Sequence, residues 1–116
     1  MTVKECYAAM GGDYKDVLKR LMNEARVKKF ALMFLKDPSM GQMREAMEAK
    51  DCSAAFRAAH TMKGICANLG FTALLKISSE MTEALRANDM EGASLLQPQL
   101  EKCYAQTEAA LRQLEA

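Results

Sequence analysis

The segment that decides the fold is AAHTMKGICANLG, residues 58–70, which contains the single histidine of the chain. A helix turns by about 100° per residue, so His60 falls on one side of such a helix and a set of small and apolar residues falls on the other. That set is Ala58, Ala59, Met62, Ile65, Cys66 and Leu69. The pattern predicts that the helix buries this set and presents the imidazole of His60 to solvent.

The neighbours of His60 on this predicted helix are small or basic. Lys63 and Gly64 lie one turn beyond it, Arg57 lies one turn before it, and Ala67 lies almost two turns beyond. Glycine costs about 1 kcal/mol relative to alanine inside a helix, so Gly64 on an exposed side needs a reason. The missing side chain would let another protein approach the ring, and the ammonium of Lys63 would stand near an anion bound there.

The string H-T-M-K-G-x5-G resembles the H-x-L-K-G-x5-G signature of histidine-containing phosphotransfer (HPt) domains. It matches at His60, Lys63, Gly64 and Gly70, and at Asn68-Leu69. Met62 replaces the usual leucine, and Ile65-Cys66 stand where small serines are common. All three lie on the side of the helix that is predicted to be buried. The resemblance implies that the histidine is phosphorylated on Nε2 and relays the phosphoryl group between aspartates of receiver domains.

The resemblance also implies roles for individual residues. His60 would be the nucleophile and phosphoacceptor, because a neutral exposed imidazole is nucleophilic near pH 7. Lys63 would stabilise the phosphoryl group, and Gly64 would give the partner clearance. Arg57, Ala67 and Asn68 would contact the partner. The partners implied are receiver (response-regulator) domains, with a hybrid sensor histidine kinase as a further candidate, and the divalent cation for transfer is expected in the receiver, with no cofactor in this chain.

Composition places the chain in a single helical domain, residues 1–116. Hydrophobic residues make up 50% and charged residues 27%, and only two prolines and six glycines interrupt helix-forming residues. A net charge of +1 gives no field that would attract nucleic acid or an anionic membrane, and no apolar run reaches the ~20 residues of a membrane span. Lys4 and Glu5 leave no room for a secretory segment. We therefore expect a cytoplasmic monomer.

The four cysteines are widely separated and include no C-x-x-C pair. With one histidine in the chain, this spacing argues against a zinc site and indicates reduced thiols. A haem or metal site inside a helical bundle is disfavoured as well, because such sites need several ligands that point inward.

Helical spacing and capping residues predict six helices. A short helix begins after Thr2 and ends at Gly11-Gly12, and a long helix begins after Asp13 and continues to Leu35. A short helix follows Asp37-Pro38, the motif helix is capped by Asp51 or Ser53 and ends near Leu69, and another helix follows Phe71. Residues 88–93 are predicted to form a turn. The last helix begins near Gln97, or begins near Glu91 and kinks at Pro98; the sequence leaves both open.

Short turns between these helices predict antiparallel neighbours. The fold class expected is all-α, an antiparallel up-and-down four-helix bundle of the longer helices with the two short ones as accessories. The motif helix and its successor form a hairpin, which would bring Lys76, Ser79 or Thr82 near His60.

The chain has no Gly-rich phosphate loop, so no ATP-dependent kinase activity of its own is expected. It would act as a phosphocarrier rather than a true enzyme. The alternative is a docking module without chemistry, in which the same surface binds receiver-like partners and His60 is only a contact. The sequence identifies neither the cognate kinase and receivers nor the direction of phosphoryl flux, and it leaves open whether the domain is freestanding or part of a hybrid kinase.

Overall fold

The computed structural model describes residues 1–115, and all regular structure in this range is helical. The elements in chain order are α1 (Val3–Met10), α2 (Tyr14–Leu21), α3 (Glu24–Met33), a 3-10 turn (Phe34–Lys36), α4 (Ser39–Glu48), α5 (Cys52–Leu69), α6 (Thr72–Arg86) and α7 (Met90–Glu115). The predicted all-α class is confirmed.

Helix α1 begins and ends where the sequence predicts. The hydroxyl of Thr2 accepts a hydrogen bond from the Glu5 amide, and the Glu5 carboxylate accepts one from the Thr2 amide, which forms a capping box. The hydrogen bond that the Thr2 amide donates to the Glu5 carboxylate lowers the pKa of Glu5. At the other end Gly11 has a φ of 70°, the left-handed conformation that glycine adopts without strain.

The prediction of a single long helix after Asp13 is wrong, because the chain leaves the helical conformation at Met22 and Asn23. Met22 has a φ of 78°, and the Asn23 side chain accepts a hydrogen bond from the amide of Arg26, so Asn23 caps a new helix, α3. The break rotates the side chains that follow it. Met22 and Ala25, which continue the apolar spacing of Val17, Leu18 and Leu21, are therefore exposed.

Helices α4 to α7 form the antiparallel bundle. Consecutive members contact each other and are joined by turns at 49–51, 70–71 and 87–89, too short for any other orientation. Between α4 and α7, the Arg44 guanidinium donates to the Glu101 carboxylate at 2.6 Å and lies 5.4 Å above the Tyr104 ring. Helices α1 and α3 pack on α7. A four-helix bundle with short accessory helices is therefore confirmed, but its membership differs from the prediction: the short helix α4 is one of the four, and the region predicted as a long helix after Asp13 supplies α2 and α3 outside them.

Helix α7 begins at Met90, so the turn predicted over residues 88–93 is too long. The Asp89 carboxylate accepts a hydrogen bond from the Gly92 amide at 2.8 Å and caps the helix there. The helix continues through Pro98, which settles the open alternative in favour of the earlier start.

A chain of aromatic rings fixes the C-terminal end of α5 within the core. Tyr7 lies 5.7 Å from Phe71, Phe71 lies 5.2 Å from Phe34, and Phe34 lies 5.8 Å from Tyr104, all between ring centroids. These residues come from α1, the α5–α6 turn, the 3-10 turn and α7. The helix that carries His60 is thereby held from several directions.

Candidate functional site

Helix α5 buries its apolar side and exposes His60, as the spacing predicts. The buried residues are Ala55, Ala58, Ala59, Met62, Cys66 and Leu69. Ile65 is only half-buried, which corrects its assignment to the core. The Asp51 carboxylate accepts a hydrogen bond from the Ala54 amide at 3.1 Å, so Asp51 rather than Ser53 caps the helix.

The imidazole of His60 is exposed. Neither ring nitrogen forms a hydrogen bond with any residue of the 1–115 range. Its aromatic neighbour is Phe56, one turn earlier on α5, with ring centroids 5.7 Å apart and planes at 31°. The imidazole therefore lies beside the Phe56 ring, and its two nitrogens have no hydrogen-bond partner within residues 1–115.

Lys63 and Gly64 lie one turn beyond His60. Lys63 is half-buried and forms no ion pair with another residue of the described chain, so its ammonium is available to a bound anion. Gly64 is exposed, and a Cβ built on it would meet no atom within 4 Å. Packing within the domain therefore gives no reason for glycine at this position.

The residues expected to contact the partner differ in their availability. Arg57 is exposed, but its Nη1 donates to Ser53 Oγ at 2.7 Å, so the guanidinium is directed toward the N-terminal end of α5. Ala67 and Asn68 are exposed at the other end. Their side chains are accessible, whereas both carbonyl oxygens accept hydrogen bonds from the Arg20 guanidinium at 2.8–2.9 Å.

Arg20 is a supporting residue that the sequence analysis missed. It lies on α2, and it satisfies carbonyl groups that the end of a helix leaves without partners. No local signal could have found it, because 47 residues separate it from Ala67.

None of the three α6 residues predicted near His60 forms a hydrogen bond with it among residues 1–115. Thr82 is fully buried and donates to the Ser78 carbonyl at 2.7 Å, and Lys76 lines a groove between α6 and α7. Ser79 is half-buried and makes no side-chain hydrogen bond with His60 among the described residues. Arg86, also on α6, reaches this region, and its Cζ lies 5.0 Å from the centroid of the Phe56 ring.

An apolar groove of about 280 Å³ lies beside the C-terminal half of α5. It is lined by Phe30, Met33, Phe34, Asp37, Ile65, Asn68 and Leu69. Met33 is 56% exposed at its rim. The half-burial of Ile65 is explained by this groove, which leaves one side of its side chain uncovered.

Within residues 1–115 no helix is long and apolar enough to cross a membrane. In the same part of the chain, no group of three or more histidine, cysteine, aspartate or glutamate side chains could hold a metal ion.

Comparison with known families identifies the class of protein. The family model of the Hpt domain matches residues 37–110, which span α4 to α6 and most of α7 and include the His60 motif. The match covers more than half of the chain, so this protein belongs to the Hpt domain family. No curated protein and no solved structure matches the chain. Hpt domains carry out histidine phosphotransfer in phosphorelays and typically interact with response-regulator receiver domains.

Proposed function

We propose that this protein is a phosphocarrier that accepts a phosphoryl group on His60 from the phospho-aspartate of one receiver domain and passes it to another. The observation that carries the proposal is the exposed, unbonded imidazole of His60 beside the open space at Gly64, within the matched Hpt region.

The transfer would use the lone pair of His60 Nε2. The Nε2–P bond forms as the P–O bond of the aspartyl phosphate breaks, and the aspartate leaves as a carboxylate. The reverse reaction on a second receiver returns the imidazole to its starting state. A divalent cation bound by the receiver would neutralise charge on the transferring group.

Residues beside His60 would assist without reacting. Lys63 would stabilise the negative charge of the phosphoryl group, because its ammonium has no carboxylate partner among residues 1–115. Gly64 would let the receiver approach the ring, because a side chain there would project into open space. The side chains of Ala67 and Asn68 would contact the receiver, and Arg57 would do so after release from Ser53.

The test is transfer from a radiolabelled phospho-receiver to the isolated protein. We expect acid-labile, base-stable label on the wild-type protein, release of that label to a second receiver, and no label on His60→Gln. Circular dichroism of the variant should be unchanged, since the His60 side chain is exposed. Receiver binding without labelling of the wild-type protein would instead support the docking-module alternative, and full labelling of His60→Gln would exclude His60 as the acceptor.

A further inference from the structure

The contacts of Phe56 link His60 to helix α6. Phe56 is half-buried on α5, with its ring centroid 5.7 Å from that of His60. The guanidinium carbon of Arg86, in the last turn of α6, lies 5.0 Å from the same ring. One phenyl ring therefore contacts both the imidazole and a cation from the neighbouring helix.

This contact restricts a side chain that has few other restraints. An exposed side chain ordinarily exchanges among rotamers, and His60 has no hydrogen bond within residues 1–115 to hold it. A flat ring at 31° to the imidazole favours orientations in which the two planes remain in contact. Transfer reactions are sensitive to such orientation, because misplacement of a reacting atom by about 1 Å can cost on the order of 100-fold in rate.

Arg86 in turn restrains Phe56. Its Nε donates to the Glu83 carboxylate at 3.2 Å, one turn earlier on α6, which limits the positions of the guanidinium. A guanidinium over an aromatic face is attracted to the π electrons, so the phenyl ring is held from the side of α6.

We propose that Phe56 is a positioning residue for His60, and that Arg86 acts on the imidazole through Phe56. The inference rests on the proposed function and deepens it. Phe56 would set the orientation in which His60 meets the receiver's phosphoryl group without contacting that group itself.

The first experiment is nuclear magnetic resonance of the free protein, which needs no partner. The chain contains one histidine, so the carbon-bound imidazole protons are assigned without ambiguity. We expect a ring-current displacement of these signals in the wild-type protein that Phe56→Leu removes and Phe56→Tyr retains. Phe30→Leu is the matched control, because Phe30 is also half-buried beside a cation, Lys29.

The second experiment is single-turnover transfer from a phospho-receiver over a range of receiver concentrations. For Phe56→Leu we expect a maximal rate lowered by about tenfold with little change in the half-saturating concentration, and recovery in Phe56→Tyr. Arg86→Gln should lower the maximal transfer rate as well, but by less. This variant provides the test if Phe56→Leu does not fold. Arg112→Gln is its control, because Arg112 is a similarly exposed ion-paired arginine on α7.

The outcomes separate the two hypotheses. Normal labelling of the wild-type protein, with unchanged imidazole signals and an unchanged maximal rate in Phe56→Leu and Arg86→Gln, would overturn the inference alone. Failure of every phospho-receiver to label the wild-type protein would overturn the proposed function, and the inference with it.

Discussion

The hydroxyl of Tyr7 donates a buried hydrogen bond of 2.7 Å to the carbonyl oxygen of Leu69, the last residue of α5. The final carbonyl groups of a helix lack partners within it. Here Tyr7 donates to the carbonyl of Leu69, and the Arg20 guanidinium donates to the carbonyls of Ala67 and Asn68. The Asp13 amide donates to the carbonyl oxygen of Gly70 at 2.7 Å. The C-terminal end of the histidine helix is thus completed by residues from α1, α2 and the turn between them.

Tyr7→Phe should lower the free energy of unfolding by about 1–3 kcal/mol, because it leaves the buried Leu69 carbonyl without a donor while the ring packing remains. Urea denaturation measures the loss. Tyr14→Phe is the control, since the Tyr14 hydroxyl makes no hydrogen bond among residues 1–115. Equal stability of the Tyr7 variant and the wild-type protein would show that this hydrogen bond makes no net contribution to the free energy of unfolding.

Gly64→Ala should stabilise the fold and slow phosphotransfer. A Cβ at this position meets no atom, so the variant gains the helix preference of alanine, about 1 kcal/mol, while the added methyl group occupies the space proposed for the receiver. Gly41→Ala in α4 is the matched control, because its Cβ also meets nothing within 4 Å. Thermal unfolding and transfer rates are measured on both. A stabilised Gly64→Ala with an unaltered transfer rate would remove clearance as the reason for the glycine.

Pro98→Ala should stabilise the protein by about 1–3 kcal/mol. Proline within a helix lacks the amide that would bond the carbonyl four residues earlier, here that of Ser94, and its ring crowds that carbonyl. The site is exposed, so alanine loses little packing. Gln99→Ala, at the next exposed position, should be nearly neutral. A decrease in the melting temperature of Pro98→Ala would mean that α7 needs the local geometry that proline imposes.

Stability should fall at alkaline pH. Burial raises the pKa of the Cys66 thiol and of the Tyr7 hydroxyl, so the folded protein keeps these protons at pH values where the unfolded chain releases them. The contribution of Cys66 is complete below the ordinary thiol pKa of about 8.5, and that of Tyr7 below the ordinary phenol pKa of about 10. Each contribution is lost as the pH rises above that value, by up to about 1.4 kcal/mol per pH unit. Urea denaturation from pH 7 to 10.5 should show this decline, and Cys66→Ala should have a shallower slope. A flat profile for the wild-type protein would contradict the prediction.

Local signals predicted the parts of the fold that local interactions determine. The cap at Thr2 was identified correctly, and Asp51 was one of the two caps considered for the motif helix, because each satisfies backbone groups within a few residues of itself. The break at Met22-Asn23 was missed because the helical spacing of apolar residues continues across it. A single residue with a positive φ does not change that spacing in the sequence. The start of α7 was left open between Glu91 and Gln97 because Gly92 and Pro98 both weaken a helical pattern that packing sustains.

At the site as well, features set within one helix were predicted, and contacts between helices were not. The exposure of His60 and the openness at Gly64 follow from the geometry of one helix, so the sequence predicted both. Arg20 and Arg86 act across helix pairs, and their contacts depend on a register that spacing alone does not determine. The functional assignment of these positions remains a prediction for the experiments described above.

The support of α5 by the N-terminal helices bears on how the domain can be dissected. A fragment limited to residues 37–110 keeps the histidine and the whole matched region, yet it loses every donor that Tyr7, Asp13 and Arg20 supply to the end of α5. The last turn of that helix, which includes Asn68, should unravel in such a fragment. We therefore expect the smallest fragment with an intact α5 beneath His60 to begin ahead of Tyr7, well upstream of the family match at residue 37.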